Sequence, residues 1–167
     1  CIPGNAGTHE IAKNVDLDIN NFGLLKKFIE KNKIDIVIIG PERPLVEGIV
    51  DFLQLNNIKV FGPNKIASKL EGSKIFTKNL CEKYKIPTAR FGVFENIEKA
   101  LKFLDQCKFP IVVKADGLAA GKGVYICENK KQGGQAVEEI FNGKFGKANE
   151  ILIEEFLEGE EMSFFVI

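Results

Sequence analysis

Pro110-Ile-Val-Val-Lys-Ala-Asp-Gly-Leu-Ala-Ala-Gly-Lys-Gly-Val124 is the stretch on which the fold turns. Ile111, Val112 and Val113 are apolar and β-branched, so residues 111–115 read as a buried strand. Residues 117–123 hold three glycines and read as a loop, and 124–127 resume a strand pattern. Strand, short glycine-rich connection and strand make a hairpin, which fixes antiparallel pairing. Lys114 stands near the end of the first strand. An ammonium there either reaches water or meets an anion, because an unpaired buried cation is costly. Gly117, Gly121 and Gly123 free the backbone to bring N–H groups close to an oxyanion, and Lys122 adds a charge. A Walker A loop has four residues between its first glycine and its Gly-Lys pair, and it opens a helix. Here three residues intervene and a strand follows. The loop is either a plain hairpin tip or a mobile flap over phosphates.

Downstream, residues 131–141 read as a helix, 151–155 as an apolar strand and 162–167 as a final strand. The strand at 151–155 runs into Glu154, Glu155, Glu158, Glu160 and Glu161. A charge run of this kind is usually a solvated turn. Phe156 and Leu157 interrupt it with the pattern of a partly buried connector, which can offer a main-chain carbonyl and N–H to the edge of a base. Upstream, 89–94 read as a strand and 97–106 as a helix. Residues 66–84 look helical in two pieces broken at Gly72, with Ser73 as an N-cap. Lys74 then falls in a first helical turn, where a cation is unfavourable unless an anion binds there too. The plain alternative is a surface lysine.

The first third alternates differently. Phe22, Leu25, Phe28 and Ile29 share one helical face. Residues 34–39 are a β-branched run stopped by Gly40-Pro41. Leu45, Ile49, Val50 and Leu53 mark a second helix, and 59–61 a short strand stopped by Gly62-Pro63. Helix and strand in alternation predict a parallel sheet covered on both faces. Ligands bind such sheets beyond the carboxyl ends of the strands, where Gly40, Pro41 and Glu42 lie. The fold class is therefore α/β. A partial parallel-sheet, Rossmann-like domain over 1–66 is followed by an α+β domain with antiparallel pairing over 67–167.

Composition narrows the function. The 167 residues hold 23 Lys+Arg and 23 Asp+Glu. Zero net charge supplies no global field for nucleic acid or an anionic membrane. No apolar run approaches the roughly 20 residues of a membrane helix. Four cysteines without a C-x-x-C pair and the single His9 argue against a zinc site and against serine- or cysteine-type nucleophiles. Cys81, Cys107 and Cys127 lie beside apolar stretches, which suits reduced core thiols in the cytoplasm. The single methionine is Met162 and the chain opens on Cys1, so the expectation is a sequence lacking its front end.

Taken in order, Pro3-Gly-Asn-Ala-Gly-Thr8, Gly40-Pro-Glu-Arg-Pro-Leu45, Val60-Phe-Gly-Pro63, Leu70-Glu-Gly-Ser-Lys74, Val113-Lys-Ala-Asp-Gly-Leu-Ala-Ala-Gly-Lys-Gly-Val124 and Glu154-Glu-Phe-Leu-Glu-Gly-Glu-Glu161 resemble the ATP-grasp superfamily. More narrowly they resemble its phosphoribosylamine–glycine ligase (glycinamide ribonucleotide synthetase) family. The resemblance implies a pre-ATP-grasp domain followed by an ATP-grasp lid domain. It implies a ligase of purine biosynthesis that joins glycine to 5-phosphoribosylamine through glycyl phosphate, with ATP going to ADP and phosphate. Lys74 and Lys114 match the two phosphate-binding lysines, Lys114 being the catalytic one. Gly117, Gly121, Lys122 and Gly123 match the loop that closes over the phosphates. Glu154, Glu155 and Leu157 fall in the adenine-binding segment, and Glu161 takes the ribose hydroxyls. Gly4, Asn5, Gly40, Pro41 and Glu42 match the ribosylamine phosphate site. His9 stands where the family often has a small residue.

Mg²⁺ or Mn²⁺ is implied as well, with its ligands expected beyond Ile167, together with the glycine site and a C-terminal domain. A strand and glycine-rich loop are expected ahead of Cys1. These residues alone are then expected not to catalyse the reaction. The partners implied are small molecules, with neither nucleic acid nor membrane among them. Two other readings remain open: a different ATP-grasp carboxylate–amine ligase, or a non-catalytic nucleotide-binding module.

Overall fold

In the first part of the chain, Asn5 starts a helix by accepting the Thr8 N–H on its side chain at 2.9 Å. This helix, α1 (Ala6–Ile11), buries no residue, which is why no apolar stripe announces it. Helix α2 (Phe22–Lys31) starts at Asn21 in the same way and buries Leu25 and Ile29. Strand β1 (Val37–Ile38) pairs in parallel with β2 (Val60–Phe61), Val37 opposite Val60 and Ile38 opposite Phe61. Between them lie α3 (Glu42–Glu47) and α4 (Ile49–Leu55), and α5 (Lys69–Gly72) follows β2. The structure is a computed structural model and describes residues 1–118, 122–146 and 149–164.

Two expectations for this part need correction. The single helix through Leu45 and Leu53 is two helices, because Gly48 takes the left-handed conformation with φ +97° and ends α3. Among the described residues the parallel sheet is covered on one face, and its first strand is shorter than 34–39. Leu25, Ile29, Leu45, Ile49, Val50 and Leu53 form one core against Val37, Ile39 and Val60. Side chains alternate across a strand, so Ile36 and Ile38 point the other way, where they are 54% and 71% exposed. The helices here supply a single covering layer. The chain divides into compact units at Cys1–Gly72 and Ser73–Ile167. The sequence places its domain boundary at 66/67; α5 goes with the first unit because Gly72 packs directly against Val46.

The second unit opens with α6 (Lys74–Tyr84), then β3 (Phe91–Phe94), α7 (Ile97–Leu104), β4 (Ile111–Ala115), β5 (Val124–Cys127), α8 (Lys130–Phe141) and β6 (Ile151–Glu155). Asn96 and Asn129 cap α7 and α8 as Asn21 caps α2. The four strands form one antiparallel sheet in the order β3-β6-β4-β5. Alternation sorts its side chains. Ile111, Val113 and Ala115 of β4 join Ile151 and Ile153 of β6 in a core with Ala100 and Leu104 of α7 and Ala136, Val137 and Ile140 of α8. Fully burying each such large aliphatic side chain contributes about 1.5–3 kcal/mol. Val112 and Lys114 of β4, with Leu152 and Glu154 of β6, point to the opposite face.

Of the cysteines only Cys127 lies in the core, where burial pushes its thiol up. Cys107 is half-buried beside it, and Cys81 is half-exposed on α6, which corrects the picture of three core thiols. All four are free. The expected final strand over 162–167 is irregular at 162–164, and Phe165 to Ile167 lie outside the described residues. No helix of the described residues is long and apolar enough to cross a membrane.

Candidate functional site

Lys114 does meet an anion, and the anion is internal. In the antiparallel register Val112 of β4 is opposite Glu154 of β6, so Lys114, two residues on, is the diagonal neighbour of Glu154 on the same face. Long side chains reach across such a diagonal. Lys114 Nζ pairs with Glu154 Oε1. Glu154 Oε2 is approached from α6 by Lys78 Nζ at 2.5 Å. The carboxylate is 6% exposed, Lys78 13% and Lys114 25%. Lys78 also donates to Thr88 Oγ1 at 2.6 Å and to the Ala89 carbonyl at 3.5 Å. Two ammonium groups thus share one buried carboxylate.

The root of the glycine loop is tied to the start of α6. Ser73 Oγ accepts the Phe76 N–H at 3.0 Å, the expected N-cap, and donates to Asp116 Oδ2 at 2.9 Å. Asp116 Oδ1 accepts the Ile75 N–H at 3.1 Å. The anion that favours a helix N-terminus, expected there as a bound phosphate, is supplied in part by the chain's own Asp116. Lys74 Nζ donates to the Gly117 carbonyl at 2.9 Å, so its charge sits against the loop rather than out on the surface. Gly117 adopts φ +86°, a conformation that costs any L side chain about 1–2 kcal/mol. The hairpin ladder closes at Ala115 N–H to the Gly123 carbonyl, 2.8 Å. Gly123 is buried, Lys122 is exposed, and Gly121 lies outside the described residues.

Beside Lys114, directly across the ladder, is Val124, and Val112 faces Ile126. Val124 and Ile126 are 43% and 57% exposed, an open apolar surface on the edge strand. Glu155, the last residue of β6, is held by Arg90: the backbone N–H donates to Oε1 at 3.0 Å and Nε to Oε2 at 2.7 Å. Those two donors, the backbone first, hold its carboxyl below the usual range. Phe156 is half-buried but Leu157 is 63% exposed, so the connector is less buried than its pattern suggests. Glu161 is exposed in irregular chain.

In the first unit, Gly4 has φ +83° and abuts the Asn14 side chain, Asn5 caps α1, and Gly40 and Pro41 lead from β1 into α3, whose first residue is Glu42. Among the described residues no group of three or more His, Cys, Asp or Glu side chains is placed to hold a metal.

The second unit thus gathers Lys74, Lys114, Gly117, Gly123 and Glu154 around one loop and one strand end. Sequence reasoning missed Lys78 and Asp116. Lys78 could have been found, because it is four residues after Lys74 and so shares its helix face. Asp116 sits next to the loop glycine and carried no signal of its own.

The chain matches two family models along its whole length. Residues 1–71 match the phosphoribosylglycinamide synthetase N domain, and 72–167 the phosphoribosylglycinamide synthetase ATP-grasp (A) domain. It is 49% identical over 166 residues to a phosphoribosylamine–glycine ligase of Mesorhizobium japonicum, covering 99% of this chain and 39% of that protein. To the Escherichia coli (strain K12) protein of the same name it is 46% identical over 169 residues, with the same coverage. The crystal structure of phosphoribosylamine–glycine ligase from Thermotoga maritima superposes with a TM-score of 0.74 at 32% identity, over 95% of this chain and 37% of that one. The biotin carboxylase domain of Hydrogenobacter thermophilus 2-oxoglutarate carboxylase, solved with MgADP, shares the fold at a TM-score of 0.68 and 20% identity, over 88% of this chain and 34% of that one. The chain spans about two fifths of the length of the curated relatives it matches.

Proposed function

The chain belongs to the phosphoribosylglycinamide synthetase family, and on that premise we propose that the protein carrying it ligates glycine to 5-phosphoribosylamine with ATP. The observation that carries the reading is the placement of Lys74 and Lys114 at the root of the glycine loop. Phosphoryl transfer needs charge neutralisation and alignment more than a protein nucleophile, and these two ammonium groups provide both. The glycine carboxylate attacks the γ-phosphorus and ADP leaves. The amine of phosphoribosylamine then attacks the carbonyl of glycyl phosphate, and inorganic phosphate leaves.

Each residue has a part in this reading. Lys74 and Lys114 take the ATP phosphates, and Gly117, Gly121, Lys122 and Gly123 close over them and keep water from the acyl phosphate. The exposed Val124 and Ile126 offer an apolar platform for adenine, whose edge meets the main chain of Glu155 and Leu157. Glu161 takes the ribose hydroxyls. Glu154, in the adenine-binding segment, also holds Lys78 and Lys114. Gly4, Asn5, Gly40, Pro41 and Glu42 of the N-terminal unit receive the ribosylamine phosphate. A divalent cation, Mg²⁺ or Mn²⁺, accompanies ATP. Four free thiols fit a cytoplasmic setting. The test is ADP formation by the complete purified protein. ADP should appear only with glycine and 5-phosphoribosylamine both present, and undiminished ADP release with glycine omitted would overturn the reading.

A further inference from the structure

We propose that Lys78 is a positioning residue of the nucleotide site: by neutralising Glu154 it leaves the charge of Lys114 uncompensated, and so available to a phosphate. The inference rests on the reading of Lys114 as a phosphate ligand. Three observations carry it. First, the cluster is unbalanced: among the described residues two ammonium groups contact one carboxylate, and Glu155, which Lys78 also feels, already has Arg90 as its own partner. A buried cluster with one positive charge in excess attracts an anion strongly, because the low local dielectric screens little.

Second, the two lysines are not equivalent. Lys78 Nζ is surrounded by Thr88 Oγ1, the Ala89 carbonyl and Glu154 Oε2, with the Phe91 ring 5.7 Å away. It donates to the hydroxyl and the carbonyl and meets Glu154 Oε2 as an ion pair, so contacts on three sides hold it in place. Lys114 is the more exposed of the two, and among the described residues Glu154 is its partner. Third, the surroundings place Lys114 at an open boundary. It lies opposite exposed Val124 and one residue before Ala115, where the ladder closes on the glycine loop. Without Lys78, the whole charge of Glu154 would fall on Lys114, hold it more tightly and compete with an incoming phosphate.

The experiment is isothermal titration of the complete protein with ATP. Lys78→Met should weaken binding by about tenfold, the order expected for removing a unit charge a few ångströms from the anion. The double variant Lys78→Met with Glu154→Gln removes the opposing charges together and should bring affinity back to within about threefold of the parent. A purely structural Lys78 gives the opposite result: the double variant binds no better than the single one, and the proposal falls. Unchanged affinity in Lys78→Met also overturns it. Should that variant fail to fold, Lys78→Gln makes the same charge change and can still reach Thr88 Oγ1. Lys114→Ala separates the two layers of the argument. If it leaves ATP affinity untouched, the phosphate reading fails and the inference with it. If it weakens binding while Lys78→Met does not, only the inference fails.

Discussion

The Asp116 carboxylate accepts the Ile75 N–H at 3.1 Å, so the residue that follows the first hairpin strand also caps the helix that carries Lys74 and Lys78. Strand end, loop root and helix start form one hydrogen-bonded unit. Asp116→Ala leaves the Ile75 N–H and the Ser73 hydroxyl without their partner, and hydrogen bonds to a charged group contribute about 1.5–3 kcal/mol. The expected result is a lower unfolding temperature in thermal melts, with Asp116→Asn losing less because it keeps an acceptor. The loop root is loosened too, so the KM for ATP should rise in the alanine variant.

Lys114→Ala should lower turnover of the complete protein by about 10²–10³-fold, the loss typical of one preorganised charge donor. Steady-state kinetics with saturating ATP measure it. A wild-type rate would remove Lys114 from the site.

Gly117→Ala tests backbone conformation apart from space. Among the described residues a Cβ at this position meets nothing within 4 Å, yet φ is +86°. The substitution should therefore cost about 1–2 kcal/mol through strain alone. Gly117→Asn, which tolerates this conformation better, should lie between alanine and glycine in a denaturant titration.

Acid stability should depend on Glu155. Its folded carboxyl is held below the ordinary value, first by the Arg90 N–H and then by the guanidinium. A depressed folded value means that this contribution is complete above the unfolded value, near 4.3. It is lost as pH falls through the lower folded value. Glu155→Gln should lower stability at neutral pH, where the contribution is complete, and flatten the profile in that acid window, so that variant and parent converge at low pH in unfolding titrations.

Much of this architecture was legible because local signals agreed with each other. Residues 111–115 are apolar, β-branched and followed by glycines, and they form β4 with those bounds. Ser73 sits where a helix must restart after Gly72, and it caps α6. Elsewhere the signals were silent or misleading. The apolar period of Leu45, Ile49, Val50 and Leu53 runs unbroken across Gly48, so the helix break left no trace in hydrophobicity. Apart from Asp35 the run 34–39 is apolar on both faces, and only packing decides that Ile36 and Ile38 stay exposed. Lys114 drew notice because a cation is rare in such a strand. Its partner Glu154 looked like one more member of an acidic run, and Lys78 like one of many lysines. Their pairing depends on which strands neighbour each other, and composition does not encode that.

The asparagines at the helix ends imply an uneven response to chemical ageing. Asn96 and Asn129 cap α7 and α8 through their side-chain oxygens. Loss of ammonia there leaves a carboxylate that still accepts, now with a charge that suits the helix start by about 0.3–1 kcal/mol. Asn32 and Asn56 do the reverse at the far ends of α2 and α4, donating from Nδ2 to the carbonyls of Phe28 and Phe52, both at 2.8 Å. Deamidation there removes the donor and sets an anion against the negative end of the helix. Asn32→Asp should melt earlier than the parent, and Asn96→Asp should not.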